Sequence, residues 1–294
     1  MASQQTVLIT GCSGGIGLES ALAFARAGYA VTATVRELSR SAPLRERAAA
    51  EGLDIAVHAL DMTASDTFPP FVEALLSRLG RLDVLVNNAG VLPVGAFEDI
   101  PAGEFRATME TNFFGPALLS RAVLPAMRQQ RSGYLIMVSS LSGMAAKAGD
   151  AVYAASKFAL EGLTEALRQE VAHWNIRTAL VHPAQYATGM FRLTETGECG
   201  SCAADSPYRP LIAHQQRLLL EALPRGRDPA LLADLLVRIA ASDGSRFRWP
   251  ADDLAERVAR TLFAQDDAER QAFLQGVSDA DWWIAGRESP EESA

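Results

Sequence analysis

Tyr153 and Lys157 are the first side chains whose types and spacing indicate catalysis. They lie four residues apart in a segment with helical periodicity, so they share one face of the predicted helix. A phenol with a pKa near ~10 is a poor acid–base catalyst at neutral pH, but an adjacent ammonium group lowers that pKa by favouring the phenolate. The pair therefore predicts a tuned proton donor. A tyrosine and a lysine at this spacing more often form a surface pair, so the context decides between the two interpretations.

A glycine-rich segment, TGCSGGIG at residues 10–17, follows the first predicted strand and precedes an alanine-rich helix. Glycines let the backbone turn tightly and approach a pyrophosphate, whose charge then lies against free amide groups at the helix N-terminus. The spacing is G-x-x-x-G-x-G with an additional Gly14. A tight turn without a ligand is the alternative, and the position in the first β–α unit favours dinucleotide binding.

The end of the second predicted strand carries Arg36 and Glu37. At this place an acidic residue selects the ribose 2′-hydroxyl and a basic residue accommodates a 2′-phosphate. The planar guanidinium of Arg36 can pair with the phosphate and stack on adenine, which favours NADP(H). Glu37 keeps NAD(H) as the alternative, because a shift of two residues would bring a carboxylate to the same place. No basic residue in the glycine segment adds support for NADP(H).

Short β-branched runs alternate with helical patterns through the first two-thirds of the chain, which predicts β–α–β units on a doubly wound, Rossmann-like parallel sheet. The predicted strands are 6–10, 30–35, 55–59, 84–87, 134–139 and 177–182. The predicted helices between them are 15–27, 65–79, 103–130 and 150–174.

The alternation ends near residue 189, and residues 189–228 show no sustained period. We interpret this segment as an irregular substrate lid, because structureless stretches of that length are usually functional. Asp228 and Pro229 begin a predicted helix through about residue 241, and 247–250 is a predicted last strand. Residues 245–294 form a C-terminal extension with predicted helices at 251–263 and 268–277. We expect one domain over 1–294 with its core at about 6–190.

These features together resemble the short-chain dehydrogenase/reductase family. The resemblance rests on the motifs at 10–17, 87–90, 153–157 and 183–188 together with Asn112 and Ser140, and it covers about residues 6–190. Within the family the chain looks most like the hydroxysteroid- and retinol-dehydrogenase-like branch, because of Ala-Thr-Val-Arg at 33–36 and the extended C-terminal part.

The resemblance implies an enzyme that interconverts a carbonyl and an alcohol. Tyr153 would exchange a proton with the substrate oxygen while Ser140 hydrogen-bonds the same oxygen; Ser139 competes for that role, but its distance to Tyr153 fits the family's spacing less well. Lys157 would bind the nicotinamide ribose and lower the Tyr153 pKa, and Asn112 would hold a water that links Lys157 to solvent. The positions implied for cofactor binding are Gly11, Ser13, Gly15, Ile16, Gly17, Arg36, Asp61, Met62, Asn88, Gly90, Tyr153, Lys157 and Thr188.

Two departures from the family concern the segment after the sixth predicted strand. Pro183 is followed by alanine where glycine is usual, and Tyr186 stands where a small aliphatic residue is common. Neither removes a reacting group. We expect the substrate walls to include Ser140, Met144, Tyr186 and Phe191, with Val94, Met190, Leu193 and Tyr208 as further candidates.

These walls are mostly apolar, which predicts a bulky apolar ketone or secondary alcohol such as a steroid-, retinoid- or polyketide-like molecule. Packing of the lid against the sheet is the alternative role of these side chains. Lys147 and Arg192 are basic, so an acidic substrate is a further alternative.

The bulk properties exclude several classes of partner. The net charge of -8 has the wrong sign for a nucleic-acid surface, and no segment approaches the roughly 20 apolar residues that a spanning helix needs. An odd count of three cysteines and the absence of a basic leader predict a cytoplasmic protein. Cys199 and Cys202 have a redox or zinc-ligand spacing, but only one such pair exists, so we expect no metal site.

Two further expectations concern assembly and activity. The long helices at 103–130 and 150–174 resemble those that pair between subunits in this family, which predicts a homodimer or homotetramer. The alternative to an active enzyme is a catalytically silent dinucleotide-binding sensor or scaffold, because fold does not dictate function.

Overall fold

The computed structural model describes residues 4–188, 190 and 205–262. They contain a seven-stranded sheet in the order β3-β2-β1-β4-β5-β6-β7, and all neighbouring strands pair in parallel. The strands are β1 (Thr6–Ile9), β2 (Ala30–Val35), β3 (Ile55–Ala59), β4 (Val84–Asn87), β5 (Gly133–Val138), β6 (Ile176–His182) and β7 (Arg248–Pro250). The α-helices are α1 (Gly15–Arg26), α2 (Ala42–Ala50), α3 (Phe68–Leu79), α4 (Ala102–Met109), α5 (Gly115–Gln130), α6 (Ala151–Val171), α7 (Arg209–Ala222), α8 (Pro229–Ala241) and α9 (Asp253–Leu262).

The sheet is covered on both faces, which explains why its central strands are almost continuously apolar. Alternate residues of each strand point to opposite faces, so Ile9 packs in one core and Leu8 in the other. Helices α1, α2 and α8 bury their apolar faces in the first core, and α3, α5 and α6 in the second. The structure is therefore the doubly wound, Rossmann-like sheet that the sequence predicts.

The strand order reverses between β1 and β4, because the chain continues outward from β1 to β3 and then returns to the other side of β1. In open parallel sheets, ligands bind in the crevice at this switch point, outside the carboxyl ends of the strands. The glycine segment follows β1, Asn88 follows β4 and Ser140 follows β5. All three therefore lie at the same edge of the sheet.

The prediction of an irregular lid at 189–228 is wrong for residues 209–222, which form α7. This segment has a proline at its second position, where the helix has no need of the amide proton, and Pro224 follows shortly after its end. Its apolar residues also recur at helical spacing. The surrounding prolines and glycines masked this pattern in the sequence.

Two other elements differ from the predictions. Helix α2 was not predicted, since its arginines and alanines give it hardly any apolar face. The predicted helix at 103–130 is interrupted by a π-helical turn at Glu110–Phe114, between α4 and α5.

The C-terminal predictions are tested only in part. Strand β7 and helices α8 and α9 lie where the sequence places them. The helix predicted at 268–277 and the cysteine pair Cys199 and Cys202 lie outside the described residues. No helix in the described ranges is long and apolar enough to cross a membrane.

Candidate active site

Tyr153 and Lys157 lie on the first two turns of α6 and are both buried. The Lys157 Nζ atom donates a hydrogen bond to the Val138 carbonyl at the end of β5, at 2.9 Å. It lies 5.7 Å from the centre of the Tyr153 ring. The strand end therefore fixes the ammonium group beside the phenol, as expected for side chains four residues apart on one helix face.

Ser140 belongs to the loop after β5 and forms a hydrogen bond with Tyr153. The Ser140 Oγ atom also accepts a bond from the Ser142 amide at 3.1 Å, which holds the hydroxyl at the start of a short 3₁₀ turn, Leu141–Gly143. Ser139 lies deeper, and its hydroxyl has no hydrogen-bond partner in the described part of the chain. The structure thus brings Ser140, and not Ser139, to Tyr153.

Burial dominates the electrostatics of this group. It raises the pKa of Tyr153 to about 12, an effect that the Ser140 hydrogen bond opposes and the Asp150 carboxylate reinforces. Burial also lowers the pKa of Lys157 to about 8, against an opposing attraction from Glu161. The expectation that Lys157 lowers the Tyr153 pKa is wrong for the protein alone, because removal of the phenol from water outweighs its other interactions.

Asn112 lies in the π-helical turn between α4 and α5 and is completely buried. Its amide group donates to the Val91 carbonyl at 2.9 Å and to the Ser156 hydroxyl at 3.0 Å, and its Oδ1 atom accepts from the Val91 amide at 2.8 Å. The side chain therefore connects the loop after β4 to the catalytic helix.

Three glycines form a tight cradle between the end of β1 and α1. Gly11 and Gly15 have left-handed backbone angles, with φ of +77° and +53°, which side chains rarely adopt. A Cβ atom on Gly17 would lie 2.2 Å from the Gly11 carbonyl oxygen and 2.6 Å from the Asn88 side chain. Because these neighbours are held in place, only glycine fits at this position.

The same loop fits a dinucleotide. A Cβ atom on Gly14 would meet nothing within 4 Å, and Gly14 precedes α1 without any side chain that caps the helix. No side chain caps the first amide groups of α1, so they are available to bind a pyrophosphate. Asn88 supports the loop by donating to the Thr10 carbonyl at 2.8 Å, and Thr188 packs against Gly15.

The remaining positions implied for cofactor binding lie at the same sheet edge. Arg36 follows β2 with a half-exposed side chain, and its Nε atom is 3.8 Å from the Glu37 carboxylate. Asp61 follows β3 and accepts hydrogen bonds from the Thr63 amide and hydroxyl, both at 2.9 Å. The last four are partly buried or buried beside these loops: Ser13, Ile16, Met62 and Gly90.

The substrate walls expected from the sequence are only partly brought together. Met144 is buried in the loop after Ser140, and Met190 packs against Gly90 near Lys157. Tyr186 is buried in the core on the α1 and α8 side, where its hydroxyl donates to the Ala251 carbonyl at 2.8 Å, so it is not an open wall as expected. Phe191 lies outside the described residues.

Helix α7 closes part of the cleft between the loops after β4 and β5. Ile212 packs against Gly149, and Ser206 donates to the Asp99 carboxylate at 2.6 Å. Tyr208, a candidate wall residue, donates to the Glu98 carboxylate at 2.7 Å. Its hydroxyl group is therefore already hydrogen-bonded at the edge of the cleft.

Sequence reasoning missed two groups of residues around the catalytic side chains. Asp150 is buried and accepts from the Ser142 hydroxyl at 2.7 Å, which stiffens the loop that carries Ser140. Glu161 forms a 2.9 Å hydrogen bond with His182, a residue that the sequence suggested only as the end of a strand. An acidic residue one helical turn beyond Lys157 was the signal available in the sequence.

The comparisons with known proteins agree with this geometry. The profile of the family described as short chain dehydrogenase matches residues 5–198. The chain belongs to this family of oxidoreductases. The members of the family bind a nicotinamide dinucleotide, which is consistent with the fit of the glycine cradle.

Two relatives show the range of similar enzymes. Retinol dehydrogenase 8 from Bos taurus is 36% identical over 249 residues, which cover 81% of this chain and 78% of the relative. 3-Ketodihydrosphingosine reductase from Bacteroides thetaiotaomicron is 33% identical over 261 residues, which cover 89% of this chain and 91% of the relative.

Two solved structures share the fold. A short-chain dehydrogenase from Streptomyces avermitilis superposes with a TM-score of 0.75 at 31% identity and covers 96% of this chain and 100% of its own. A metagenomic short-chain oxidoreductase in complex with NADP has a TM-score of 0.66 at 29% identity, with coverages of 85% and 97%.

Proposed function

We propose that this chain is an NADP(H)-dependent oxidoreductase that interconverts a carbonyl and a secondary alcohol on a bulky apolar substrate. One observation carries the proposal: the Ser140 hydroxyl is hydrogen-bonded to Tyr153, with Lys157 beside them, at the sheet edge that also holds the glycine cradle. A catalytically silent sensor would have no need of this buried group.

The roles of the side chains follow from their positions. A bound nicotinamide cofactor supplies or removes the hydride. The hydroxyl groups of Ser140 and Tyr153 are adjacent, so both can hydrogen-bond one substrate oxygen. Tyr153 gives its proton to that oxygen during reduction and takes it back during oxidation. We propose that the positive charge of Lys157 favours the phenolate when the cofactor is bound, whereas burial keeps the Tyr153 pKa raised in the protein alone.

Arg36 is the residue that we propose to select NADP(H). Its half-exposed guanidinium follows β2, and a 2′-phosphate can form a charge-assisted hydrogen bond there. The NADP complex of the metagenomic relative supports this preference. Glu37 carries the competing proposal of NAD(H), in which a carboxylate takes the ribose hydroxyls.

An apolar substrate is supported by the described walls and by the relatives. Val94 is buried in the loop after β4 and Met144 in the loop that carries Ser140, and Ile212 of α7 packs against Gly149 of that second loop. Retinol and 3-ketodihydrosphingosine, which the names of the two relatives contain, are both long apolar molecules. Because both molecules are apolar, hydrophobic ketones are the first substrates to test.

A substrate panel tests the function. Purified protein is mixed with NADPH and either long-chain apolar ketones or small polar ketones and sugars, and nicotinamide absorbance is followed. We expect turnover with apolar ketones at a higher kcat/KM than with any polar compound. NADPH binding without turnover of any carbonyl or alcohol would favour the sensor, and higher kcat/KM with polar compounds would contradict the substrate class.

We also propose that the chain forms a homodimer or homotetramer through α5 and α6. An apolar groove runs between these helices, lined by Leu124, Pro125, Leu167 and Trp174. Arg121 and Arg128 of α5 and Glu170 of α6 lie at the groove. A second copy related by a two-fold axis would place the acidic side chain of one subunit against the arginines of the other.

The oligomer is tested by light scattering with Ala166→Arg, which inserts a long charged side chain at an exposed position of the groove. We expect the wild type at twice or four times 31.5 kDa and the variant at a lower mass. Ala49→Arg, at an exposed position of α2, is the matched control and should assemble normally. A wild type at 31.5 kDa at micromolar concentration would contradict the proposal.

A further inference from the structure

A buried network of charged side chains lies directly behind the catalytic group and is not part of the mechanism above. It consists of Glu161 and Glu165 on α6, His182 at the end of β6 and Arg248 on β7. Glu161, His182 and Arg248 are all buried. Three elements of the second half of the sheet therefore meet at one set of ionic contacts.

Glu161 is the centre of this network. Its Oε1 atom is 2.9 Å from His182 Nε2, and its Oε2 atom is 3.8 Å from Arg248 Nε. Arg248 also donates to Glu165 at 2.6 Å. The position of the Glu161 carboxylate is thus fixed from β6 and from β7.

The same carboxylate also touches the loop that carries Ser140. A Cβ atom on Gly143 would lie 3.1 Å from Glu161 Oε1 and 2.5 Å from the Ser139 hydroxyl. Gly143 ends the 3₁₀ turn that begins after Ser140. The turn therefore packs directly against Glu161, and no side chain larger than hydrogen fits between them without movement.

Glu161 follows Lys157 by one helical turn, on the same face of α6. Two titratable side chains face Lys157 from its own helix, Tyr153 one turn before it and Glu161 one turn after it. Asp150, which precedes the helix, acts on Tyr153, and His182 of β6 and Arg248 of β7 contact Glu161. Attraction from the Glu161 carboxylate raises the pKa of Lys157, against the larger effect of burial.

We propose that Glu161 is a positioning residue of the active site: held by His182 and Arg248, its carboxylate provides negative charge on the Lys157 face of α6 and supports the turn after Ser140. The positioning role of Glu161 rests on the proposed function. The effect on Lys157 does not, since it is a property of the protein without substrate or cofactor.

The composition of the chain makes a direct test possible, because Lys147 and Lys157 are its only lysines. Protein labelled with ¹³C at lysine Cε gives two signals, and Lys147→Arg assigns them. Titration of the Lys157 signal is compared in wild type, Glu161→Gln and Glu165→Gln. Glu165→Gln is the matched control, because it also removes a carboxylate partner of Arg248 from α6.

We expect Glu161→Gln to lower the Lys157 titration midpoint by about one pH unit or more, and Glu165→Gln to shift it much less. Equal shifts in the two variants, or none in either, would overturn the proposal. If Glu161→Gln does not fold, His182→Phe provides the second test. Phenylalanine has no hydrogen-bond donor, so this variant frees the Glu161 carboxylate from β6 and should shift the Lys157 midpoint, while Glu165→Gln shifts it much less. An unchanged midpoint in His182→Phe would likewise overturn the proposal.

Turnover separates a positioning role from a structural one. With an apolar ketone and NADPH, the activity of Glu161→Gln relative to wild type should recover as the pH falls from 9 to 6, because Lys157 regains its proton. A loss that is the same at every pH would indicate a structural role and contradict the proposal. If no carbonyl is reduced by the wild type, the function fails while the lysine titration still decides the inference.

Discussion

The two halves of the carboxyl edge of the sheet are built in opposite ways. In the half formed by β1 and α1, the site consists of backbone and open space, and Gly11, Gly15 and Gly17 matter because they lack side chains. In the half formed by β5 and α6, the site consists of buried polar side chains, above all Tyr153 and Lys157. Adding side-chain atoms to the first half should therefore weaken NADPH binding. Removing polar atoms from the second half should reduce turnover.

Lys157→Met should have the largest effect, because it removes the buried charge from the catalytic half. We expect kcat/KM with an apolar ketone to fall by about 100-fold or more. NADPH affinity should fall as well, because the family resemblance implies that Lys157 binds the nicotinamide ribose. Steady-state kinetics and fluorescence titration measure the two effects. Lys147→Arg, at the exposed second lysine, serves as the control and should behave as wild type.

Gly17→Ala should have the next largest effect, because it adds one carbon to the nucleotide half. The new Cβ atom would lie 2.2 Å from a backbone oxygen, so the loop must shift. We expect NADPH affinity to fall by about 10-fold or more, which is the loss of one or two hydrogen bonds to a charged group. Gly14→Ala is the matched control. Its backbone is extended, with φ of 176°, and its Cβ would meet nothing within 4 Å.

A loss of NADPH affinity by Gly14→Ala as large as that by Gly17→Ala would contradict the steric account of the cradle. The difference between the two variants is therefore more informative than either value alone.

Arg36→Ala should have a smaller effect, confined to cofactor choice. A charge-assisted hydrogen bond contributes roughly 1.5–3 kcal/mol, so the preference for NADPH over NADH should fall by about ten-fold or more. The ratio of kcat/KM for the two cofactors measures it, and Glu37→Gln is the control that tests the competing carboxylate. Equal use of NADPH and NADH by the wild type would contradict the proposed role of Arg36.

The smallest effect concerns stability and has a defined pH window. The pKa of Lys157 is lowered from 10.5 to about 8 in the folded protein, so the buried charge destabilises the fold fully below pH 8, where the lysine is protonated in both states. This penalty disappears as the pH rises from 8 to 10.5, because the folded protein loses its proton first. Lys157→Met should therefore unfold at a higher temperature than wild type at pH 7, by several degrees.

The stability advantage of Lys157→Met should shrink between pH 8 and 10.5 when melting temperatures are compared at each pH. An advantage that does not depend on pH would show that packing, and not the buried charge, accounts for the difference.

The comparison of the two halves also explains what the sequence could predict. Strands β2, β3 and β4 have the predicted bounds, because each is a short run rich in apolar and β-branched residues. Tyr153 and Lys157 were found because their relation is local, within one helix. Ser140 was preferred to Ser139 from family spacing, and the hydrogen bond to Tyr153 agrees with that choice.

The relations that the sequence could not predict are long-range. His182 and Glu161 are 21 positions apart, and Arg248 and Glu165 are 83 apart, so only the packing of β6 and β7 against α6 brings them together. The raised pKa of Tyr153 has the same origin, since burial depends on every element around it. Tyr186 seemed suited to a substrate wall, but its hydroxyl finds the Ala251 carbonyl in the core.

Tyr153→Phe tests the central claim most directly, because it removes one hydroxyl and leaves the contacts of Lys157 intact. Wild type and variant are mixed with NADPH deuterated at the transferable position and an apolar ketone, and deuterium in the alcohol is measured by mass spectrometry. We predict one deuterium per product molecule for the wild type. The variant should form product at least about 100-fold more slowly, with an unchanged NADPH dissociation constant. Near-normal product formation by Tyr153→Phe would contradict the account.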